Sequence, residues 1–255
     1  MIDIHSHILP GVDDGAKNEQ ESLNMARAAI EQGIQTIVAT PHHQNGAFNN
    51  FRLEIKSSVE ILNEFFKREG VPLTVLPGQE TRIYGEMVEG LRQQELLPIN
   101  HSKYLLVEFP ASEVPRYTTQ LLFDIQLEGY TPVIVHPERN RQLLEHPNLL
   151  YEFVSKGALT QVTAGSVIGK FGKDIQKFTN QIIEANLTHF IASDAHNTTS
   201  RKFWLQEAYE EVKKNYGSDY FYMFLENSNL LIDNDNVNQL EPMRVKKKKK
   251  FLGLF

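Results

Sequence analysis

Apolar residues along the chain recur in two alternating patterns. Short β-branched and aliphatic runs stop at Pro or Gly, and longer stretches carry apolar residues three and four positions apart. The short runs, at residues 1–7, 36–40, 73–76, 104–109, 131–136, 159–164 and 189–194, predict strands. The longer stretches predict helices over 18–33, 51–70, 117–128, 149–156, 173–186 and 202–215. Gly33, Gly70 and Gly129 stand where three of them should end. Continuously apolar strands separated by amphipathic helices indicate a parallel sheet covered on both faces. Seven strand–helix units in about 230 residues predict an α/β fold, a closed or nearly closed barrel related to the eight-unit kind. An open doubly wound sheet is the alternative. No repeat or linker interrupts residues 1–232, so they form one expected domain, with 233–255 as a polar, then polybasic and apolar tail.

Composition narrows the picture. The chain has 255 residues, 41% of them hydrophobic, which is ample for one barrel-sized core. It has no run of eighteen apolar residues and no charged-then-apolar leader, so a cytoplasmic protein is expected. The absence of cysteine excludes a disulfide framework, a cysteine nucleophile and a thiolate metal site. Six Lys/Arg against one Glu in residues 241–255 leave residues 1–240 with a formal charge of −11. An acidic body of this kind argues against a nucleic-acid groove.

Chemistry enters at the strand ends. In parallel α/β folds the loops after the strands converge on one mouth and build the site there. His5 and His7 close the first strand at i, i+2 spacing, on one face. His42 and His43 follow the second strand, Glu80 the third, Glu108 the fourth and His136 the fifth, while Asp194 and His196 follow the last. A carboxylate at the end of a buried strand costs several kcal/mol unless it is paired, and metal coordination removes that cost. Imidazoles and carboxylates without sulfur suit two or three ions such as Mn²⁺, Fe²⁺ or Zn²⁺. Closely spaced ions activate a water for in-line attack on phosphorus. Arg139, three residues after His136, and Arg201, five after His196, can overhang the same mouth and offer forked donors to phosphoryl oxygens.

Several residues carry blander readings. His43 orients a ligand or fills the mouth. His101, His146 and His189 lie away from the ligand ends and are read as ordinary surface or core residues. Asp13 and Asp14 sit in a Gly-bounded loop, either as a turn or as carboxylates behind the ligands. Asp233 and Asp235 are read as an exposed turn. The tail from Lys246 to Phe255 is either a solubilising extension or a weak contact for an anionic membrane surface, at about 1 kcal/mol per lysine.

The ordered series His5-Ser-His7, Thr40-Pro-His42-His43, Pro77-Gly-Gln-Glu80, Glu108-Phe-Pro, His136-Pro-Glu-Arg and Ser193-Asp-Ala-His196 resembles the PHP (polymerase and histidinol phosphatase) metallohydrolases. Asp3 to Gly15 and His136 to Asn140 are especially similar to one branch, the bacterial tyrosine-protein phosphatases of capsule and exopolysaccharide clusters, the CpsB/CapC/YwqE type. The resemblance implies a PHP-type distorted (β/α)7 TIM-like barrel over residues 1–232. It also implies a trinuclear manganese site, with Fe²⁺, Zn²⁺ or Mg²⁺ as partial substitutes, and hydrolysis of phosphotyrosine on proteins such as an autophosphorylating tyrosine kinase. Its metal ligands fall on His5, His7, His42, Glu80, Glu108, His136, Asp194 and His196, and its phosphate-contacting arginines on Arg139 and Arg201. A histidinol-phosphate phosphatase and a non-catalytic metal-binding module regulating a membrane kinase are the alternatives.

Overall fold

The computed structural model of the chain describes residues 1–246. β1 (Ile2–Ser6) leads to α1 (Glu19–Glu31), β2 (Thr36–Ala39), β3 (His42–His43) and α2 (Arg52–Arg68). β4 (Thr74–Pro77), β5 (Glu80–Arg82) and α3 (Met87–Arg92) come next, then β6 (Tyr104–Glu108) and α4 (Thr118–Leu127). The second half runs through β7 (Thr131–Val135), α5 (Arg141–Glu145), α6 (Asn148–Val154), β8 (Leu159–Thr163), α7 (Ala164–Val167) and α8 (Lys173–Glu184). β9 (Phe190–Ala192), α9 (Leu205–Tyr216) and α10 (Ser218–Ile232) complete it. The local signals explain the helix limits. Asn18 caps α1 by accepting from the Glu21 amide, and α2 buries Ile55, Val59, Leu62 and Phe66 on one stripe.

All strand pairs are parallel, in the orders β1-β2-β4 and β3-β5-β6-β7-β8-β9. The two sheets are one barrel wall whose second and third strands are each broken. Pro41, which has no N–H for a ladder, separates β2 from β3, and Gly78-Gln79 separates β4 from β5. Closure comes where Asp194 donates to the His5 carbonyl and His7 donates to the Ala195 carbonyl, both at 2.9 Å. This seals β9 against β1 and makes a closed seven-position barrel rather than an open sheet. Alternate residues face inward and outward. Tyr104, Leu106, Val133, Val135 and Phe190 fill the interior, while Leu105, Val107 and Ile134 join the larger core beneath the helices.

Packing continues past the expected boundary at residue 232. α10, which the sequence pattern left unassigned, sends Leu231 into the barrel interior, and Val237 follows it. Tyr104 donates its hydroxyl to the Asp235 carbonyl at 2.5 Å, and the Met243 amide donates to the Ala185 carbonyl at 2.8 Å. Val237, the Asp235 carbonyl and the Met243 amide thus pack against the lower end of the barrel, although the side chains of Asp233 and Asp235 stay exposed. Of the polybasic tail only Lys246 lies among the described residues. No helix of the described residues is long and apolar enough to cross a membrane.

If Leu231 plugs this lower end, Leu231→Ala should lower unfolding free energy by about 2–5 kcal/mol in denaturant titrations. A change below about 1 kcal/mol would mean that the lower end is closed by something other than α10.

Candidate metal centre

The strand ends that the sequence singles out converge at one mouth. His5 and His7 leave β1, whose register slips between Asp3 and Ser6, and both rings reach Glu80 at the start of β5. The Glu80 Oε2 atom lies 2.8 Å from His42 Nδ1, 3.3 Å from His7 Nε2 and 3.4 Å from His5 Nε2, while Oε1 lies 2.7 Å from His136 Nε2. Asp194 Oδ1 stands 3.3 Å from His7 Nε2 and 3.5 Å from His5 Nε2. Glu108 Oε2 is 3.8 Å from His42 Nδ1. His136 and Asp194 leave their strands in the left-handed region, at φ 35° and 53°. Non-glycine residues take that conformation at a cost of about 1 kcal/mol or more, and it recurs where function holds it.

Six ligand-type atoms here are buried and make no well-aligned hydrogen bond, although each faces an oppositely polar atom of the site at 2.8–3.5 Å: Nε2 of His5, His7 and His196, His42 Nδ1, Glu80 Oε2 and Asp194 Oδ1. The opposite ring nitrogens of three histidines are anchored. His5 Nδ1 lies 2.9 Å from Gln161 Oε1, His7 Nδ1 2.6 Å from Asp13 Oδ2, and His196 Nδ1 2.9 Å from the Asp194 carbonyl. A neutral ring that donates Nδ1–H outward presents its Nε2 lone pair inward, the arrangement by which proteins aim imidazole at a metal. Inward-aimed lone pairs facing carboxylate oxygens form a donor set that fits divalent cations. Among the described residues, three groupings have donor atoms all within 4.8 Å of one another: His7, Asp14, His42 and His196; His5, His7 and Glu80; and His42, Glu80 and Glu108. Each could hold one ion. His136 and Asp194 border these groupings through Glu80 and through His5 and His7.

Charge sets the protonation. Burial by itself would raise the Asp194 carboxyl, but Arg139, His7, His5 and Arg201 hold it well below the usual range. Burial likewise opposes protonation of His42, yet Glu80 and Asp14 push it up to about 10. His136 is pushed down to about 4 by burial and then by Arg139, and His196 to about 4 by burial and then by His7. Arg139 and Arg201 converge on Asp194 Oδ2, at 2.7 and 2.8 Å, while their side chains remain partly exposed at the mouth.

All eight expected ligand positions and both arginines thus meet at one place. The blander readings divide. Asp13 and Asp14 join the site, and Gly15 makes this geometrically feasible, since a Cβ there would lie 2.1 Å from the His7 carbonyl oxygen. His43 stays outside all three groupings and packs edge-on against Phe51. His189 accepts from the Thr160 amide at the start of β9, far along the strand from the mouth. Sequence reasoning missed two neighbours of the site. Gln161 leaves no local signal, whereas Arg82, which donates to Glu108 at 2.9 Å, follows Glu80 at i, i+2.

Known proteins resemble this chain in sequence and fold. The model of the capsular polysaccharide synthesis family CpsB/CapC matches residues 1–233. The tyrosine-protein phosphatase YwqE of Bacillus subtilis is 51% identical over 255 residues, covering both chains in full. The tyrosine-protein phosphatase CpsB of Streptococcus pneumoniae is 34% identical over 86% of this chain and 92% of its own. A solved structure from work on YwqE and CpsB as metal-dependent tyrosine phosphatases superimposes with a TM-score of 0.95. It is 51% identical, over 97% of this chain and 100% of that one. The chain belongs to the CpsB/CapC family.

Proposed function

We propose that this chain is a metal-dependent protein-tyrosine phosphatase whose mouth holds three divalent ions on His5, His7, His42, Glu80, Glu108, His136, Asp194 and His196, with Asp14 as a further ligand. The observation that carries the reading is the set of buried nitrogens and oxygens aimed at one another without a well-aligned hydrogen bond while their far sides are anchored. Ions bound there would lower the pKa of a water towards neutrality, so that its deprotonated form could attack phosphorus, and would offset charge on the phosphoryl oxygens. Mn²⁺ suits the all-nitrogen-and-oxygen donor set, with Fe²⁺, Zn²⁺ or Mg²⁺ able to fill part of it.

The protein's own residues do the rest. Arg139 and Arg201 each place one nitrogen on Asp194, and Arg201 Nη1 also stands 3.7 Å from Asp14 Oδ2; their remaining donors are offered to the phosphoryl group, whose charge they offset as the bond to the tyrosyl oxygen breaks. The oxygen of a water forms the new bond to phosphorus as the bond to the tyrosyl oxygen breaks; inorganic phosphate is one product, and the tyrosine side chain, whose oxygen takes up a proton from solvent, is the other. His5, His7, Glu80 and Asp194 are almost completely buried, whereas Asp14 and His42 stand nearer the rim, so the centre is recessed. A recessed centre favours a phosphate carried at the end of a phenyl ring over one carried on a serine or threonine methylene. A substrate protein such as an autophosphorylating tyrosine kinase fits that rule. The polybasic residues from Lys246 onward would bring a cytoplasmic enzyme towards the anionic membrane face beside such a kinase.

A panel of phosphotyrosine peptide, phosphoserine peptide and histidinol phosphate tests the reading on the manganese-loaded enzyme. Phosphotyrosine should be turned over at least about tenfold faster than either competitor. Comparable rates on phosphoserine would remove the depth argument, and preference for histidinol phosphate would reassign the substrate to a small cation.

A further inference from the structure

The two arginines at the mouth are flanked by aromatic rings that the phosphoryl chemistry leaves unused. Phe171 follows α7, and Trp204 follows Arg201 by three residues. The Arg139 guanidinium carbon lies 5.8 Å from the centre of the Phe171 ring. Phe171 and Trp204 meet edge to face at 6.2 Å, and Lys170 stands 6.0 Å over the Trp204 ring. Both rings are only partly buried, although large aromatics with no surface role are usually covered. Their seat is cut to fit. A Cβ at Gly165 would come within 2.9 Å of Phe171 and 3.1 Å of Trp204, so the first turn of α7 leaves room for the pair only because it carries no side chain. Trp204 is itself held at φ 48°, a left-handed conformation unusual for a bulky residue.

We infer that Phe171 and Trp204 form the wall that receives the aromatic ring of the substrate and so set specificity for aryl phosphates. The inference rests on the phosphatase reading above. The phosphoryl group must lie against Arg139 and Arg201, and the ring that carries it is one ester bond away. Aromatic rings attract each other edge-on or offset at centre separations of about 4.5–7 Å. The nearer ring lies beside the Arg139 guanidinium, 5.8 Å from its carbon, so a ring one ester bond beyond a phosphate held there can be brought up against the wall. An aliphatic seryl or threonyl phosphate brings no ring to meet it. Phe109 lines the small cavity beside His136 and Arg139, but it is 4% exposed and packs edge-on against Phe153, so it offers little ring surface there. The wall adds an attractive component to what depth alone supplies. It also defines Phe171 as a residue that touches substrate rather than one that only braces Arg139.

The test uses the full-length, metal-loaded enzyme and compares Phe171→Ala, Phe171→Tyr and Gly165→Ala with the parent. Three quantities are measured: KM and kcat on a phosphotyrosine peptide, the competitive inhibition constant of inorganic phosphate, and bound metal per chain. Phe171→Ala should raise KM on the order of tenfold with kcat, phosphate inhibition and metal content unchanged, because binding shared by ground and transition states is what a wall provides. Phe171→Tyr should restore KM, and Gly165→Ala, by displacing both rings, should reproduce the rise. An unchanged KM in Phe171→Ala overturns the inference. So does a parallel weakening of phosphate inhibition, which would show Phe171 acting only through Arg139. A parent enzyme inactive on every aryl phosphate would overturn the phosphatase reading itself, a different outcome from either.

Discussion

Glu80→Gln is expected to lose metal and to lower kcat on phosphotyrosine by at least about 10³-fold, the equivalent of roughly 4 kcal/mol of transition-state stabilisation. Glu80 faces more of the site's imidazoles than any other carboxylate there. Its two oxygens meet His5, His7, His42 and His136 within 3.4 Å, and two of the three donor groupings include it. The amide keeps the shape and removes the charge, so the variant should fold while its four imidazoles lose their common anion. Metal analysis separates the outcomes. A Glu80→Gln variant that keeps the full metal complement and parental turnover would show that Glu80 is a buried hydrogen-bond partner for the histidines and not a ligand.

Arg139→Ala and Arg201→Ala are expected to behave differently from that variant. Each should retain metal and lose on the order of 10²–10³ in kcat, the usual cost of deleting a preorganised donor aimed at developing charge. Both guanidiniums converge on the same Asp194 oxygen, so a fixed anion holds their forks at the mouth before substrate arrives. Because they share that anchor, the double variant should lose less than the product of the two single effects. Parental turnover in both single variants, with metal content unchanged, would return the arginines to the role of neutralising Asp194.

Much of the site was legible because its residues sit at punctuation marks. His5, His7, His42, Glu80, Glu108, His136, Asp194 and His196 each stand at or just beyond the end of a continuous apolar run, where polar atoms have no reason to be unless something binds them. The remainder lay in long-range geometry. Gln161 meets His5 across 156 positions of chain, and only the closed barrel brings them together. The left-handed turns at His136 and Asp194 are imposed by tertiary context, since neither residue type demands them. Asp14 became a ligand candidate because the loop at Gly15 folds back onto His7, which a count of turn formers cannot distinguish from an ordinary surface turn. α10 escaped notice because its sequence, rich in aromatics and asparagines, has no clean stripe. Its role as a plug depends on a barrel end that exists only once the strands have closed.

Whether metal ions at this mouth perform the hydrolysis is decided most directly by one titration. Enzyme stripped with chelator to a metal content near zero is assayed on a phosphotyrosine peptide, then reloaded stepwise with Mn²⁺ while bound metal per chain is counted. Activity should be absent in the stripped protein and return as the count approaches three, with thiol alkylation irrelevant throughout because the chain has no cysteine. Full turnover in the metal-free protein would contradict the proposal outright.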